Sequence, residues 1–307
     1  MANRLESRLV TRHTKTSSCG RSLEAGIWYH SPSKGNRVAD DRVGHWNRGG
    51  LADLLGSILR ESGRRLDELT VADLAPLDQF HHDGRAATLR LAGRVSLKPG
   101  TTVLDVGGGL GGPARTLAAE FGCLVTVLDL TEDYLSAGEM LTAAVGLQDR
   151  VRFEHGDALD LPYGPESFDV VWTQNSGMNI ADKARLYDGF ARVLRAGGKL
   201  ATQEPVAGPA GPPAWFPVMW ADDSESSFLL TRSALRDTII GAGFVAIEED
   251  QAALSTSPAA PFTTSSGRSY TIQALVMGER LPAIVAAGAR NREAGRLDLF
   301  MGVFRRE

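Results

Sequence analysis

The sequence predicts an α/β fold: a doubly wound parallel sheet with helices on both faces. Two observations carry this. Between Thr101 and Pro205, short β-rich runs alternate with helical runs, and strands alternating with helices of roughly 10–15 residues build parallel sheets. Each strand run is also apolar and rich in β-branched residues, which suits burial on both faces. At 307 residues, 43% hydrophobic and 23% charged, the chain can bury a sizeable core.

In order, GLADLLGSILRESG places apolar residues at helical spacing, and SGRRLDELTVADLAPLDQF adds a second helix and a loop. RAATLRLAGRVSL is helical and stops at Lys98-Pro99-Gly100. The alternation then begins with the strand TTVLDV and the helix GGPARTLAAEFG. It continues through CLVTVLDL, TEDYLSAGEMLTAAVGL and VRFEHGD, then FDVVWTQ, ADKARLYDGFARVLRAG and KLATQEP. EPVAGPAGPPAWFPVMWADD is too rich in Pro and Gly for a regular element. TRSALRDTIIGAGF is a helix and VAIEED a strand. LPAIVAAGARNREAG is a helix inserted before the last strand, LDLFMGVFRR.

These elements divide the chain into an extension (1–37), an N-terminal helical cap (38–98) and a main domain (99–307) carrying a lid segment at about 205–228. The extension holds many Arg, Ser and Thr and is expected to be disordered; an organelle transit peptide is the alternative, with the cytoplasm as the expected location otherwise. A net charge of −4 gives no sign of the basic face or stripe of a nucleic-acid footprint, so no nucleic-acid partner is expected. Two distant cysteines, Cys19 and Cys123, indicate neither a disulfide framework nor a metal site. No apolar run reaches the roughly 20 residues of a membrane span. Oligomeric state leaves no trace in the sequence.

The stretch VLDVGGGLGGPARTLA sets five glycines where the first strand gives way to the first helix of the alternation. In doubly wound sheets that junction is where ligands bind. Gly107, Gly109 and Gly112 fit G-x-G-x-x-G, a spacing that serves many nucleotide ligands and is weak alone. Three aspartates sharpen it. Asp105 precedes the first glycine, where a carboxylate would repel a pyrophosphate but suits an ammonium. Asp129 ends the second strand, where a carboxylate can accept both ribose hydroxyls. Asp157 ends the third, where it can accept from an adenine amino group. Each could instead cap a helix N-terminus. Taken together, they describe S-adenosylmethionine: adenine, a ribose diol and an ammonium, without phosphate.

VLDVGGGLGGPARTLA, VTVLDLT, GDALDLP and RVLRAGGKL resemble successive motifs of class I S-adenosylmethionine-dependent methyltransferases. GGGLGGPAR and WTQNSGMNIADK are similar to the small-molecule branch that includes sarcosine/dimethylglycine and phosphoethanolamine N-methyltransferases. The resemblance implies a Rossmann-like, mostly parallel sheet of seven strands whose last strand is antiparallel. It also implies S-adenosylmethionine as cofactor and methyl transfer to a small-molecule acceptor, first an amine nitrogen, alternatively an oxygen or carbon of a natural product. It places Asp105 on the methionine ammonium, Gly107 and Gly109 beside the methionine part, and Asp129 on the ribose. Leu130 covers the adenine, Asp157 and Ala158 read its edge, and Gln174 supplies contacts near the sulfonium. Where relatives often read TQH, this chain reads Thr173-Gln174-Asn175, so position 175 carries no base.

His81, beside Gln79 and ahead of a helix, is the candidate base or orienting group, with an exposed helix-start residue as the plain reading. Gln79, Asn175, Met178 and Trp220 are the candidate acceptor contacts, although Trp220 could equally staple the lid. No ligand spacing suggests a metal. A nicotinamide-dependent oxidoreductase would share the glycines and Asp129 but has no use for Asp105 or Asp157. A catalytically silent cofactor-binding protein is the other alternative.

Overall fold

Alternate residues of each central strand feed two separate apolar layers. The structure, a computed structural model, describes residues 44–46, 49–251 and 260–307. The readings made on residues 1–37 lie outside them. Strand β1 (Thr102–Val106) runs parallel to both neighbours, β2 (Leu124–Asp129) and β4 (Phe168–Gln174), with Asp105 opposite Val127 on one side and Trp172 on the other. Val103, Val125, Val127 and Trp172 point to one face, where α3 (Gly84–Val95) and α4 (Gly112–Phe121) cover them. Leu104, Val106, Leu128 and Val171 point to the other, under α6 (Lys183–Val193) and α7 (Arg232–Gly241). The two-residue period of a strand accounts for both layers.

Beyond β2 lies β3 (Val151–His155), and beyond β4 lies β5 (Leu194–Ala207). The last strand, β9 (Leu297–Arg306), inserts antiparallel between β5 and β6 (Phe244–Gln251), giving the order β3-β2-β1-β4-β5-β9-β6. This is the seven-stranded, mostly parallel sheet that the motifs imply. The order reverses between β1 and β4, so the carboxyl ends of these strands frame a crevice.

The remaining helices lie over that end. α1 (Leu51–Glu61), α2 (Val71–Asp78), α5 (Glu132–Ala144) and α9 (Leu281–Glu293) share an apolar cluster that includes Leu55, Leu77, Leu141 and Ile284. Met178, Val218, Trp220 and Leu297 form a smaller cluster with the segment after β5. α3, by contrast, packs on β5, β9 and α4, within the helical layer of the sheet.

Three local readings change. The helix read through Gly197 ends at Val193: Leu194 is already extended and pairs with Phe168, and a bulge absorbs the residues before Lys199. A two-residue hairpin, β7 (Phe262–Thr263) and β8 (Ser269–Tyr270), and the short helix α8 (Ile272–Met277) appear where no pattern announced them. Elements this short hold less than one period of the signal. Ile272–Glu293 is long and apolar enough on average to cross a membrane. It is broken at Gly278, however, with Glu279 and Arg280 at the break, and it sends Ile272, Val276, Met277 and Ile284 into the core.

Candidate active site

The glycine-rich turn is held from three sides. Gly107 donates its N–H to the Leu128 carbonyl at 2.8 Å, and a Cβ there would stand 2.3 Å from that of Ser176. Gly112 has no room either, since a Cβ would lie 2.3 Å from the carbonyl oxygen of Asp78. Gly109 differs: at φ +54° its Cβ position meets only the Tyr134 ring, at 3.4 Å, and Asp129. Two of the glycines therefore allow close packing, and the third keeps the crevice open beside Asp129.

Arg115 locks this turn in place. Fully buried, it donates to Asp78 at 2.8 and 3.2 Å, to the carbonyls of Leu110 and Gly138 at 2.7 and 3.1 Å, and to Thr142 at 2.8 Å. These bonds use all five guanidinium N–H groups and join α2, the turn and α5. The sequence reading passed over Arg115 inside GGPARTLA. A cation in the first turn of α4, among apolar and small neighbours and away from Glu120 at the far end, was the available signal.

The three aspartates all stand at strand ends on the wall of one cavity of about 960 Å³. Asp129 accepts the N–H of Gly109 and of Thr131, each at 2.9 Å, and Asp157 accepts that of Leu159 at 2.9 Å. None of the three is a helix cap: the N-cap of α4 is Gly111, without a side-chain cap, that of α5 is Thr131, and the turn after Asp157 starts no helix. Asp105 is 1% exposed and its Oδ2 has no hydrogen-bond partner. Burial, reinforced by the nearby Asp129 carboxylate, pushes its pKa up to about 8. Burial also raises Asp129, against the N–H groups that hold its charge. A buried carboxyl without a partner is costly, and a cation placed between these two acids removes the cost.

The other end of the cavity is different. His81 and His82 are not exposed: His81 is buried and His82 half-buried. His81 Nε2 sits 3.0 Å from the Gly84 carbonyl and 3.2 Å from the Thr88 hydroxyl, so that nitrogen is committed to the start of α3. His82 Nδ1 accepts from Nδ2 of Asn175 at 3.1 Å. Asn175 is held at φ +56°, with its N–H on the Gln203 carbonyl. Burial pushes both rings down to about 4, aided at His82 by the charge of Arg292. Both are neutral imidazoles at physiological pH.

Gln174 is a structural node. Its Oε1 accepts from Trp172 at 2.9 Å and Thr88 at 3.0 Å, and its Nε2 donates to Gln203 at 2.9 Å. The amide that the resemblance assigns to the cofactor is thus largely engaged within the protein. Gln79, 4% exposed, lies within 3.4 Å of Thr88 and Thr116. Trp220 donates its indole N–H to Ser227 at 3.0 Å, and its carbonyl accepts from Asn179 at 2.7 Å. Leu130, Ala158 and Met178 share the cavity wall with them, so the residues assigned to cofactor and acceptor meet in this one space, while Gly112 packs away from it against Asp78. His155, at the end of β3, is exposed, with Nε2 on the Leu130 carbonyl at 3.1 Å. Among the described residues no cluster of metal-ligating side chains occurs.

A methyltransferase-domain family matches residues 104–202. The chain is 30% identical over 246 residues to the 27-O-demethylrifamycin SV methyltransferase of Amycolatopsis mediterranei, covering 74% of this chain and 84% of that protein. The chain belongs to the S-adenosylmethionine-dependent methyltransferases. This methyltransferase is also 40% identical over 118 residues to the glycine/sarcosine/dimethylglycine N-methyltransferase of Actinopolyspora halophila. That match covers 38% of the chain and about a fifth (21%) of the relative. In fold it is similar to the geranyl diphosphate C-methyltransferase of Streptomyces coelicolor A3(2), crystallised with Mg2+, geranyl diphosphate and S-adenosyl-L-homocysteine. The TM-score is 0.57 at 18% identity, over 72% of this methyltransferase and 79% of that chain. The methyltransferase therefore has sequence relatives named for N- and O-methylation and shares its fold with a protein named for C-methylation.

Proposed function

We propose that the protein transfers a methyl group from S-adenosylmethionine to an oxygen of a bulky, largely apolar small molecule. The observation that carries this is one continuous cavity running from Asp105 and Asp129 to Trp220 and His82. Its volume of about 960 Å³ is at the top of the roughly 300–1,000 Å³ range of ligand sites, enough for two ligands end to end. The cofactor's residues fit: the partnerless Oδ2 of Asp105 meets the ammonium and Asp129 the ribose diol. Gly109 leaves the space between them clear. Leu130 and Ala158 flank the adenine, whose edge Asp157 reads.

S-adenosylmethionine supplies a methyl group already activated by a sulfonium, so the protein's contribution is chiefly alignment. Effective molarities of well-oriented reactants account for about 7–11 kcal/mol of such barriers. The apolar cluster of Met178, Val218 and Trp220 seats the acceptor and excludes water. His82, neutral and with Nδ1 occupied by Asn175, carries its proton on Nε2 and donates a hydrogen bond.

An oxygen nucleophile is preferred here to the amine nitrogen that the motifs put first. An oxygen that arrives ionised, as a carboxylate or an acidic enolate, attacks the methyl carbon and displaces S-adenosylhomocysteine without a base, whereas a ring whose conjugate acid lies near 4 is a poor base for an alkylammonium, whose proton leaves near pH 10. The Asp83 carboxylate on the cavity wall, which could hold such a cation, is already paired with Arg90 at 2.6 Å. The relative that matches over most of its length also bears an O-methylation name. The test is release of S-adenosylhomocysteine from S-adenosylmethionine over a panel of phenols, enols, carboxylic acids and size-matched amines. Methylated oxygen products are expected. Turnover confined to the amines would overturn the preference, and none on any acceptor would overturn the activity.

A further inference from the structure

Three arginines line the cavity, and two of them are occupied. Arg85 pairs with Glu120 and Arg90 with Asp83. Arg292, on α9, is half-buried and has neither a carboxylate nor a hydrogen-bond acceptor among the described residues. Its guanidinium folds back along its own helix, Nη1 lying 3.6 Å from the place a Cβ of residue 288 would occupy. Gly288 also lines the cavity, so this fold-back keeps the charge on the cavity side of α9. The same charge reaches His82, where it helps to hold the ring neutral. Half-burial of a cation without a counter-ion is unfavourable. The surrounding wall, with Val285, Ile284 and Leu281, is apolar.

We infer that Arg292 is the specificity residue for an acceptor bearing an oxyanion, a carboxylate or a phosphate, on its apolar skeleton. Guanidinium presents paired N–H groups that match such oxyanions, and His82 adds a second donor nearby. The anion neutralises a charge that the fold leaves uncompensated, whereas an ammonium there meets repulsion. This rests on the methyl-transfer reading only in naming the ligand an acceptor; the binding site itself does not depend on turnover.

The experiment is a calorimetric titration of the full chain, with and without saturating S-adenosylhomocysteine, using 2-naphthoate, 2-naphthyl phosphate and the neutral 2-naphthamide. The wild type is expected to bind at least one anion about tenfold to a hundredfold more tightly than the amide, as for a charge-assisted hydrogen bond. Which anion wins identifies the headgroup. Arg292→Gln should erase the preference and Arg292→Lys should keep part of it, while S-adenosylhomocysteine affinity stays unchanged in both. Equal binding of both anions and the amide by the wild type, failure of both anions to bind, or a preference that survives Arg292→Gln overturns the inference. Failure of S-adenosylhomocysteine to bind would instead count against the cofactor assignment alone.

Discussion

Asn175 holds His82 by its ring: Nδ2 of the amide lies 3.1 Å from Nδ1 of the imidazole, tying the end of β4 to the turn before α3. The amide can only donate from that atom, so the ring's own proton sits on Nε2. His82 should therefore stay neutral to about pH 5, protonated on Nε2, in an NMR titration of ring nitrogens. Asn175→Asp offers an acceptor in place of the donor, moving the proton to Nδ1 and raising the pKa above its wild-type value of about 4. A wild-type ring that titrates near 6.5 would contradict this arrangement.

The same burial makes the fold sensitive to acid. His81 and His82 have folded-state values near 4, below the ordinary 6.5. Their contribution to stability is complete above pH 6.5 and is lost as pH falls toward 4, by up to about 1.4 kcal/mol per pH unit for each ring. Replacing both with Gln should flatten the fall in Tm over that window; an equally steep fall in the double variant would assign it to other groups.

Asp105 gives the opposite dependence, and in binding. Its carboxyl is protonated below about pH 8 in the free protein, yet a ligand ammonium requires the carboxylate. Binding of S-adenosylhomocysteine should expel a proton, and affinity should rise up to about tenfold per pH unit between pH 6 and 8. Above that it should level off, because Asp105 is then already ionised in the free protein. Calorimetry in two buffers of different ionisation heat measures the proton directly. Asp105→Asn should release none; a wild type that releases none would show that no cation meets this carboxyl.

Asp78→Ala removes the counter-charge of Arg115 and leaves a buried guanidinium exposed to no acid at all. The expected loss is about 3–5 kcal/mol in denaturant unfolding, with weaker cofactor binding because Arg115 also holds the Leu110 carbonyl of the glycine-rich turn. A loss below about 1 kcal/mol would mean the ion pair is replaceable by its three other partners.

Why some of this was legible in the sequence and some not follows from range. Strands β1 to β5 were readable because continuous apolar, β-branched runs and turn residues are local signals, and the aspartates at the ends of the first three came with them. The motifs then carried Leu130 and Ala158. Asp78 and Arg115 lie 37 residues apart and meet only because α2 packs on α4, so no local pattern could pair them. Arg292 was invisible for the same reason: a charge on a helix looks solvated until its neighbours are known. Its helix was read correctly and its face was not readable. His81 and His82 stood at a helix start, where exposure is the ordinary outcome; here His81 turns in to Gly84 and Thr88, and His82 to Asn175.

The central claim is that the carboxyl ends of β1, β2 and β3 bind an adenosyl cofactor with Asp129 on the ribose. Titration of S-adenosylhomocysteine into wild type and Asp129→Ala tests it most directly. The wild type should bind, and the variant should bind more weakly by about tenfold or more, because unpaired ribose hydroxyls cost on the order of 1–3 kcal/mol each. Unchanged affinity in Asp129→Ala, or no binding by the wild type, would contradict it.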